Sequence, residues 1–169
     1  MNKISQKNID IHKANVVGLG AEKFVSGLIK QLLSVKEIDI NIIYICAESS
    51  DKEFHKFAFK PIVVEYVFGV LSRLIEIICW RFFRNQENEI LVLGDLPLNT
   101  SARQYVLCHQ SLMFKKFLFG SKNFFKFLVF RLVFKAFLKK GDVVLVQSNE
   151  MAKNIRRKIN SNVDVRVID

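Results

Sequence analysis

Residues 142–151, DVVLVQSNEM, lead from a buried strand directly into a helix. The apolar run at 143–146 has no polar interruption, which is typical of a strand that is covered on both faces. Ser148 or Asn149 can cap the helix that follows, and Glu150 lies near the positive end of that helix. A strand that passes straight into a helix is the repeating unit of an α/β protein.

The same alternation of strand and helix recurs along the chain. Short apolar runs predict strands at residues 9–11, 38–46, 90–93, 105–108, 143–146 and 163–168. Helical patterns separate them at residues 21–34, 66–84, 122–139 and 149–159. The 169 residues contain no linker, internal repeat or low-complexity tract. We therefore predict a single α/β domain over residues 1–169, with a mostly parallel sheet and helices on both faces.

A basic and aromatic segment occupies residues 112–140, with nine phenylalanines, eight lysines or arginines and no acidic residue. It carries most of the formal net charge of +10. Its charge-free runs are far shorter than the roughly 20 residues of a bilayer-spanning helix. Aromatic rings favour the boundary between headgroups and acyl chains, and each nearby basic residue adds about 1 kcal/mol on anionic lipid. The segment is therefore predicted to lie on a membrane surface, through Lys115, Lys116, Lys122, Phe124, Phe125 and Lys126.

Two other interpretations of this segment stay open. It can be a core helix whose long basic side chains reach water along apolar surface, or it can bind a partner protein. On a helix, Arg131, Lys135 and Lys139 share one flank while Lys122 and Lys126 lie nearly opposite, so the polar stripe is imperfect. Nucleic acid is a weaker interpretation, because bulky apolar residues separate the basic ones.

Outside this segment, the most hydrophobic stretch runs from Pro61 to Trp80. Polar or small residues recur within it at spacings of three and four, at Glu65, Gly69, Ser72, Arg73 and Glu76. A single polar stripe of this kind is typical of a helix that lies on a core. We therefore expect a helix whose apolar side packs inward.

In a parallel sheet, ligands bind beyond the carboxyl ends of the strands, where loops and helix N-termini present free amides. The loop after the first strand contains glycines, which let the backbone approach an anionic or sugar ligand closely. His109 follows the strand at 105–108 and can hydrogen-bond a sugar hydroxyl there. His109 is thus the candidate catalytic residue, and the candidate substrate-binding residues are Asn15, Gly18, Gly20, Asp95 and Gln110.

Each of these residues also has a structural interpretation. The glycine loop can be a simple turn, and Asp95 can be a turn former before Pro97. A lone histidine such as His109 is more often structural than functional. His12 and His55 have no sequence context that indicates a site.

Several chemistries find no support in the sequence. Cys46, Cys79 and Cys108 are an odd number at wide spacing in apolar strings, so they fit neither a disulfide framework nor a zinc site and are expected to be buried thiols. No cluster of histidines and carboxylates indicates a metal, and no nucleophile elbow or Walker loop is present. The first ten residues, MNKISQKNID, lack the apolar core of a signal peptide.

Four motifs in this order resemble the N-terminal domain of GT-B glycosyltransferases of family 4. They are the loop Ala14-Asn15-x-x-Gly18-x-Gly20, Leu93–Pro97, Val106–Gln110 and Asp142–Met151. The likeness covers nearly the whole chain. It implies a Rossmann-like domain that binds the acceptor, with the glycine loop near the reaction centre and His109 at the donor sugar.

The resemblance also implies hexosyl transfer from a nucleotide sugar, a donor substrate rather than a tightly bound cofactor. The acceptor would be a sugar or a lipid-linked sugar in bacterial polysaccharide or lipopolysaccharide synthesis. Family members hold the nucleotide sugar in a second Rossmann-like domain with paired glutamates, and nothing in residues 1–169 corresponds to it. We therefore expect a cytoplasmic, peripheral protein on the anionic inner face of the cell membrane, with no nucleic-acid partner and no activity without a C-terminal half. It would be a gene fragment, a truncated reading frame, or one subunit of a split transferase whose donor-binding partner is a separate chain.

Two alternatives belong to other classes. A non-catalytic adaptor would dock on a membrane or a protein through the basic helix and keep the Rossmann-like fold as a scaffold. A nucleotide-cofactor oxidoreductase domain would use the glycine loop to bind a dinucleotide.

Overall fold

The computed structural model of the protein describes residues 7–13, 19–35, 38–46, 61–64, 70–83, 88–109, 124–159 and 162–168. The strands within these ranges are β1 (Lys7–His12), β2 (Ile38–Cys46), β3 (Pro61–Val64), β4 (Glu89–Val92), β5 (Gln104–Cys108), β6 (Val143–Val146) and β7 (Asp164–Val167). The helices are α1 (Leu19–Ser34), α2 (Val70–Phe83), α3 (Phe124–Phe137) and α4 (Asn149–Arg156).

The described strands form one sheet in the order β3-β2-β1-β4-β5-β6-β7, and every neighbouring pair is parallel. The predicted Rossmann-like α/β fold is therefore confirmed. The strand order changes direction between β1 and β4, because the chain first adds β2 and β3 on one side and later strands on the other. Ligands of such sheets bind at this switch point, beyond the carboxyl ends of the strands.

Helices cover both faces of the sheet, as predicted. On one face α1 packs through Val25 and Ile29. On the other face α2, α3 and α4 pack into a larger core through Trp80, Phe134 and Ile155 respectively. In the described part of the chain, one helix thus covers the first face and three cover the second. The first face is consequently less completely buried toward β6 and β7.

The predicted bounds of β2 and β6 are confirmed, and those of β1, β4, β5 and β7 differ by at most two residues at either end. Strand β3 was not predicted. Only residues 65–69 separate its four residues, PIVV, from α2, and a short apolar run of this kind cannot be assigned by periodicity alone. Pro61 is tolerated because β3 is the edge strand.

A buried carboxylate lies at an irregularity between β1 and β2. The register shifts between Ile9 and Ile11, so β2 contributes one extra residue there. Asp10 lies at the shift, nearly fully buried, and its Oδ1 accepts hydrogen bonds from the side-chain amides of Asn41 at 3.1 Å and Asn88 at 3.4 Å. Burial raises the pKa of the Asp10 carboxyl, while hydrogen bonds from Asn41, Asn88 and the Ile42 backbone oppose the rise. The carboxylate thus accepts from the backbone of Ile42, which lies within the shifted part of β2, as well as from two side-chain amides.

A polar network fixes the amino ends of β5 and β6. Gln104 and Asp142 are both fully buried. Asp142 Oδ1 accepts from the Gln104 backbone N–H at 3.1 Å, and its Oδ2 accepts from Gln104 Nε2 at 3.2 Å and from the Lys139 backbone N–H at 2.9 Å. Gln104 Oε1 accepts in turn from the Leu98 backbone N–H at 3.0 Å. Each of these donors is therefore satisfied without water.

Helix α2 lies in the opposite orientation to the one predicted. Glu76, a member of the predicted polar stripe, is turned inward, and its Oε1 lies 3.2 Å from Nε2 of the fully buried His12. Ile77 and Trp80 also face the core. The exposed side of α2 is apolar instead of polar. A buried histidine at the end of β1 accounts for the difference, because it draws the carboxylate into the interior.

Two further helix predictions need correction or refinement. Helix α3 ends at Phe137, so Lys139 does not continue a helical flank; its Nζ instead donates to the carbonyls of Thr100 and Ser101. Helix α4 ends at Arg156 rather than at residue 159. Its predicted cap is confirmed, because Ser148 Oγ accepts from the Met151 backbone N–H at 3.2 Å.

Candidate functional site at the carboxyl edge

The carboxyl ends of β5 and β6 place His109 beside Gln147. Cys108 pairs with Val146 in the register of these strands, so the next residue of each strand emerges at the same level. Nε2 of the Gln147 amide lies 3.2 Å from Nδ1 of His109. His109 thus stands at the edge of the sheet where the sequence predicted it.

With the Gln147 amide nitrogen facing the ring, the proton position of a neutral imidazole follows from this contact. An amide nitrogen can only donate, so Nδ1 of His109 is the acceptor and the neutral ring carries its proton on Nε2. Nε2 is buried and has no hydrogen-bond partner among the described residues. A buried donor that stays unpaired costs about 1–3 kcal/mol. At this edge, an oxygen atom of a ligand would relieve that cost.

Asp95 holds the backbone of His109 in place. Its Oδ1 accepts from the His109 backbone N–H at 2.5 Å. Asp95 has φ +64°, and the Leu96 backbone N–H donates to the Gly94 carbonyl at 2.8 Å. These three residues form a γ-turn centred on Asp95, which is strained for a non-glycine residue by roughly 1–3 kcal/mol. The turn-forming interpretation of Asp95 is confirmed, and its contact with substrate stays a prediction.

Substitution of Asp95 separates the strain from the hydrogen bond. We expect Asp95→Ala to lower the free energy of unfolding by about 2 kcal/mol, because it removes a charged acceptor and keeps a side chain at positive φ. Asp95→Gly loses the same bond but relaxes the backbone, so it should fall between wild type and Asp95→Ala. Urea denaturation measures both changes. Equal losses in the two variants would contradict the assignment of strain to Asp95.

The first turns of α1 reach the same edge. The ring of Phe24 stands edge-on to the His109 imidazole, with ring centroids 5.3 Å apart. Gly20 lies one turn before Phe24 and already belongs to α1, which begins at Leu19 instead of residue 21. The second glycine of the predicted loop is therefore helical. Asn15, Gly18 and Gln110 lie outside the described residues.

An apolar groove of about 630 Å³ runs along α1 away from this edge. Its walls include Phe24 and Leu28 of α1 and Leu91, Tyr105 and Leu145 of the sheet. The groove exists because α1 alone covers this face within the described residues. Its volume lies in the range of small-molecule sites, roughly 300–1,000 Å³. Phe24 is shared, since it lines the groove and also contacts His109.

The far end of the groove is polar. The Tyr105 hydroxyl donates to Glu89 Oε2 at 3.2 Å, and Nη1 of Arg103 lies 3.6 Å from Glu89 Oε1. The Arg103 guanidinium also lies 5.2 Å from the centre of the Tyr105 ring. Burial, with the nearby Glu89 charge, raises the pKa of Tyr105 above its ordinary value. The phenol therefore stays protonated at neutral pH and remains a hydrogen-bond donor.

His12 is a polar residue of the interior to which the sequence assigned no role. Trp80 packs edge-on against its ring, with centroids 4.9 Å apart, and Nδ1 has no partner among the described residues. The alternation of Asp10 and His12 along an apolar strand could have indicated a polar pair on one face. His12 faces α2, on the other side of the sheet from the groove. Its contacts hold α2 onto the sheet.

Phe24 and Gln147 were also missed as site residues. Gln147 directly follows β6 as His109 directly follows β5, and neighbouring parallel strands end at the same edge. That signal was in the sequence. The contact of Phe24 had no such signal, because it depends on how α1 is rotated over the sheet.

The predicted membrane contacts are described in part. Phe125 is 70% exposed, while Phe124 is half-buried and packs edge-to-face against it, with ring centroids 5.6 Å apart. Leu132 is 58% exposed on the same helix, whereas Phe127 and Phe134 lie in the core. Helix α3 is thus a core helix that also has an exposed apolar side. Lys115, Lys116 and Lys122, and the side chain of Lys126, lie outside what the structure describes.

Other predicted properties concern cysteines, metals and membrane spans. Cys108 is buried as predicted, Cys79 is only half-buried, and the side chain of Cys46 is outside the described part. No three His, Cys, Asp or Glu side chains gather into a possible metal site among the described residues. Within the same ranges, none of the helices has both the length and the apolar character to cross a bilayer.

These features define the class as a Rossmann-like α/β domain with polar groups gathered at the carboxyl edge of its sheet. Comparison of the chain with protein-family models, with curated proteins and with solved structures finds no match. The resemblance to glycosyltransferases therefore rests on the four sequence motifs.

Proposed function

We propose that this chain is the acceptor-binding half of a nucleotide-sugar-dependent glycosyltransferase. It would act at the inner membrane surface in bacterial polysaccharide or lipopolysaccharide synthesis. A separate donor-binding chain would hold the nucleotide sugar. The observation that carries the proposal is the Nε2–H of His109, a buried donor at the carboxyl edge with no partner among the described residues.

The tautomer of His109 assigns it a role in such a reaction. A ring with its proton on Nε2 donates to an oxygen and cannot take a proton through that atom. His109 would therefore hold a sugar hydroxyl or a phosphate oxygen and stabilise negative charge that develops on it. Gln147 would position the ring through Nδ1, and Asp95 fixes the backbone to which the ring is attached. Deprotonation of the acceptor hydroxyl falls to another group.

Helix α3 supports the placement at a membrane. Phe125 and Leu132 expose apolar surface, and Lys135 is exposed on the same helix. The 112–140 segment has no acidic residue to repel anionic lipid. Membrane attachment would bring the carboxyl edge close to acceptors that project from the headgroup layer.

Transfer in the presence of the donor-binding chain tests the role of His109. We expect His109→Ala to lower the rate of sugar transfer by about a hundredfold, as removal of one preorganised donor typically does. Gln147→Ala should lower it by about tenfold, because the ring loses its fixed tautomer. Radiolabelled sugar incorporation into the acceptor measures both rates. The urea midpoints of the variants, compared with that of wild type, are the control for folding.

An unchanged rate in His109→Ala would remove the residue from the mechanism. The exposed apolar side of α3 favours a second function, that of a non-catalytic adaptor that docks through this helix. Docking of this kind would not require the unpaired donor of His109 at the sheet edge. Strong vesicle binding, with no change in the imidazole resonances of His109 when a sugar or a nucleotide sugar is added, would favour the adaptor.

A further inference from the structure

Helix α2 presents an apolar stripe to solvent that neither the fold nor the carboxyl edge explains. Its members recur at spacings of four, three and four, so they lie on one side of the helix. Their exposed fractions are 59% for Leu71, 51% for Ile75, 46% for Ile78 and 78% for Phe82. Scattered single apolar residues on a surface are ordinary, whereas a contiguous row of four marks an interaction surface.

Specific contacts hold the stripe outward. Glu76 is bound to His12 on the inner side of α2, with only 14% of its side chain exposed. Asn99 donates from its side chain to the Ile78 carbonyl at 2.8 Å and from its backbone to the Ile77 carbonyl at 3.0 Å. Rotation of α2 to bury the stripe would break these bonds and expose Trp80. The outward orientation is therefore part of the native structure.

The charges around the stripe identify the kind of partner. Helices α2 and α3 lie on the same face of the sheet and share one core. Over residues 70–83 and 124–140, Glu76 is the one acidic residue, and it points inward. The exposed basic residues on these segments include Arg81, Lys135 and Lys140. An apolar surface bordered by basic side chains and without an outward acidic group is complementary to an anionic bilayer.

We infer that the outer side of α2 inserts into the headgroup and acyl boundary of an anionic membrane, beside α3. This inference rests on the proposed membrane placement and is independent of sugar transfer. The lipid-facing surface is then a layer of two helices, with Phe82 and Phe125 as the most exposed aromatic rings. Contact through this layer turns the α1 groove away from the lipid and lays the sheet roughly parallel to the membrane, so that the carboxyl edge with His109 faces sideways along the membrane plane.

Insertion of α2 can be measured with a tryptophan at the stripe. The probe is Phe82→Trp, and the matched control is Val35→Trp, which lies just after α1 and is also exposed. The native Trp80, the single tryptophan of the chain, is buried and gives the background in wild type. Vesicles of phosphatidylglycerol and phosphatidylcholine with brominated acyl chains quench a tryptophan that reaches the acyl region.

We expect vesicles to shift the added emission of Phe82→Trp to the blue and to quench it by at least half. The emission of Val35→Trp should not change. Ile75→Trp serves as a second probe if Phe82→Trp has a lower urea midpoint than wild type. Quenching in Phe125→Trp but in neither α2 probe would overturn insertion of α2 and leave docking through α3 intact.

Two other outcomes would also overturn the inference. If wild type fails to sediment with anionic vesicles at low salt, both the α2 inference and the proposed membrane placement fail. A blue shift of Phe82→Trp that depends on protein concentration, without vesicles, would assign the stripe to a second copy of this chain instead.

Discussion

Replacement of Asp142 by alanine is expected to lower the free energy of unfolding by about 3 kcal/mol. Asp142 is fully buried, and its two oxygens accept three hydrogen bonds, two from Gln104 and one from the Lys139 backbone. The substitution leaves the backbone N–H groups of Gln104 and Lys139 without their acceptor in the interior, whereas Gln104 Nε2 keeps the carbonyls of Leu98 and Phe137. Each buried donor that loses its partner costs about 1–3 kcal/mol, and water that enters the new space recovers part of the sum.

The control for this prediction is Asp164→Ala. Asp164 accepts from Arg166 Nε at 2.7 Å, but both side chains are more than half exposed. An exposed pair of this kind contributes less than about 1 kcal/mol. Urea denaturation followed by Trp80 fluorescence gives both free energies. A loss in Asp142→Ala as small as that in Asp164→Ala would show that the network does not hold β5 and β6 together.

Reversal of two charges on α3 is expected to weaken binding to anionic vesicles by at least about thirtyfold. The variant is Arg131→Glu with Lys135→Glu. Each basic residue near an anionic surface contributes about 1 kcal/mol, so loss of two such residues accounts for about 2 kcal/mol, and the new acidic groups add repulsion. Sedimentation with phosphatidylglycerol vesicles at moderate salt, about 0.1 M, measures the affinity.

The matched control carries the same net charge. Lys23→Glu with Lys30→Glu changes two exposed residues of α1, on the opposite face of the sheet. Its affinity should stay within about threefold of wild type, because its charges lie beyond a Debye length from the lipid at moderate salt. Equal losses in both variants would mean that overall charge, and not the α2 and α3 surface, controls binding.

The sequence predicted the parallel sheet because its strands are apolar on both faces and alternate with helices. It did not predict β3, since PIVV is only four residues long and residues 65–69 alone separate it from the apolar pattern of α2. It gave α2 the wrong orientation for a different reason. A polar stripe normally faces solvent, and only the position of His12 in three dimensions shows that Glu76 has a partner inside.

For the candidate site, the sequence predicted which residues lie at the edge of the sheet but not which of them contact each other. Parallel strands end at one edge, so residues that directly follow strands, such as His109 and Asp95, could be placed there from the sequence. The contacts between them could not. The pairing of His109 with Gln147 depends on the register of β5 and β6, and that of His109 with Phe24 depends on the rotation of α1.

We propose that His109 presents Nε2–H at the sheet edge to an oxygen of a sugar or phosphate ligand. Long-range nitrogen–proton NMR of the imidazole tests it directly, with the full chain, methyl glucoside and a nucleotide sugar as separate probes. We expect the proton of the neutral ring on Nε2 in the wild-type protein and no preference between the two ring nitrogens in Gln147→Ala. We also expect the Nε2 resonance to shift when at least one probe is added. A proton on Nδ1 in the wild-type protein, or an Nε2 resonance that no probe moves, would contradict it.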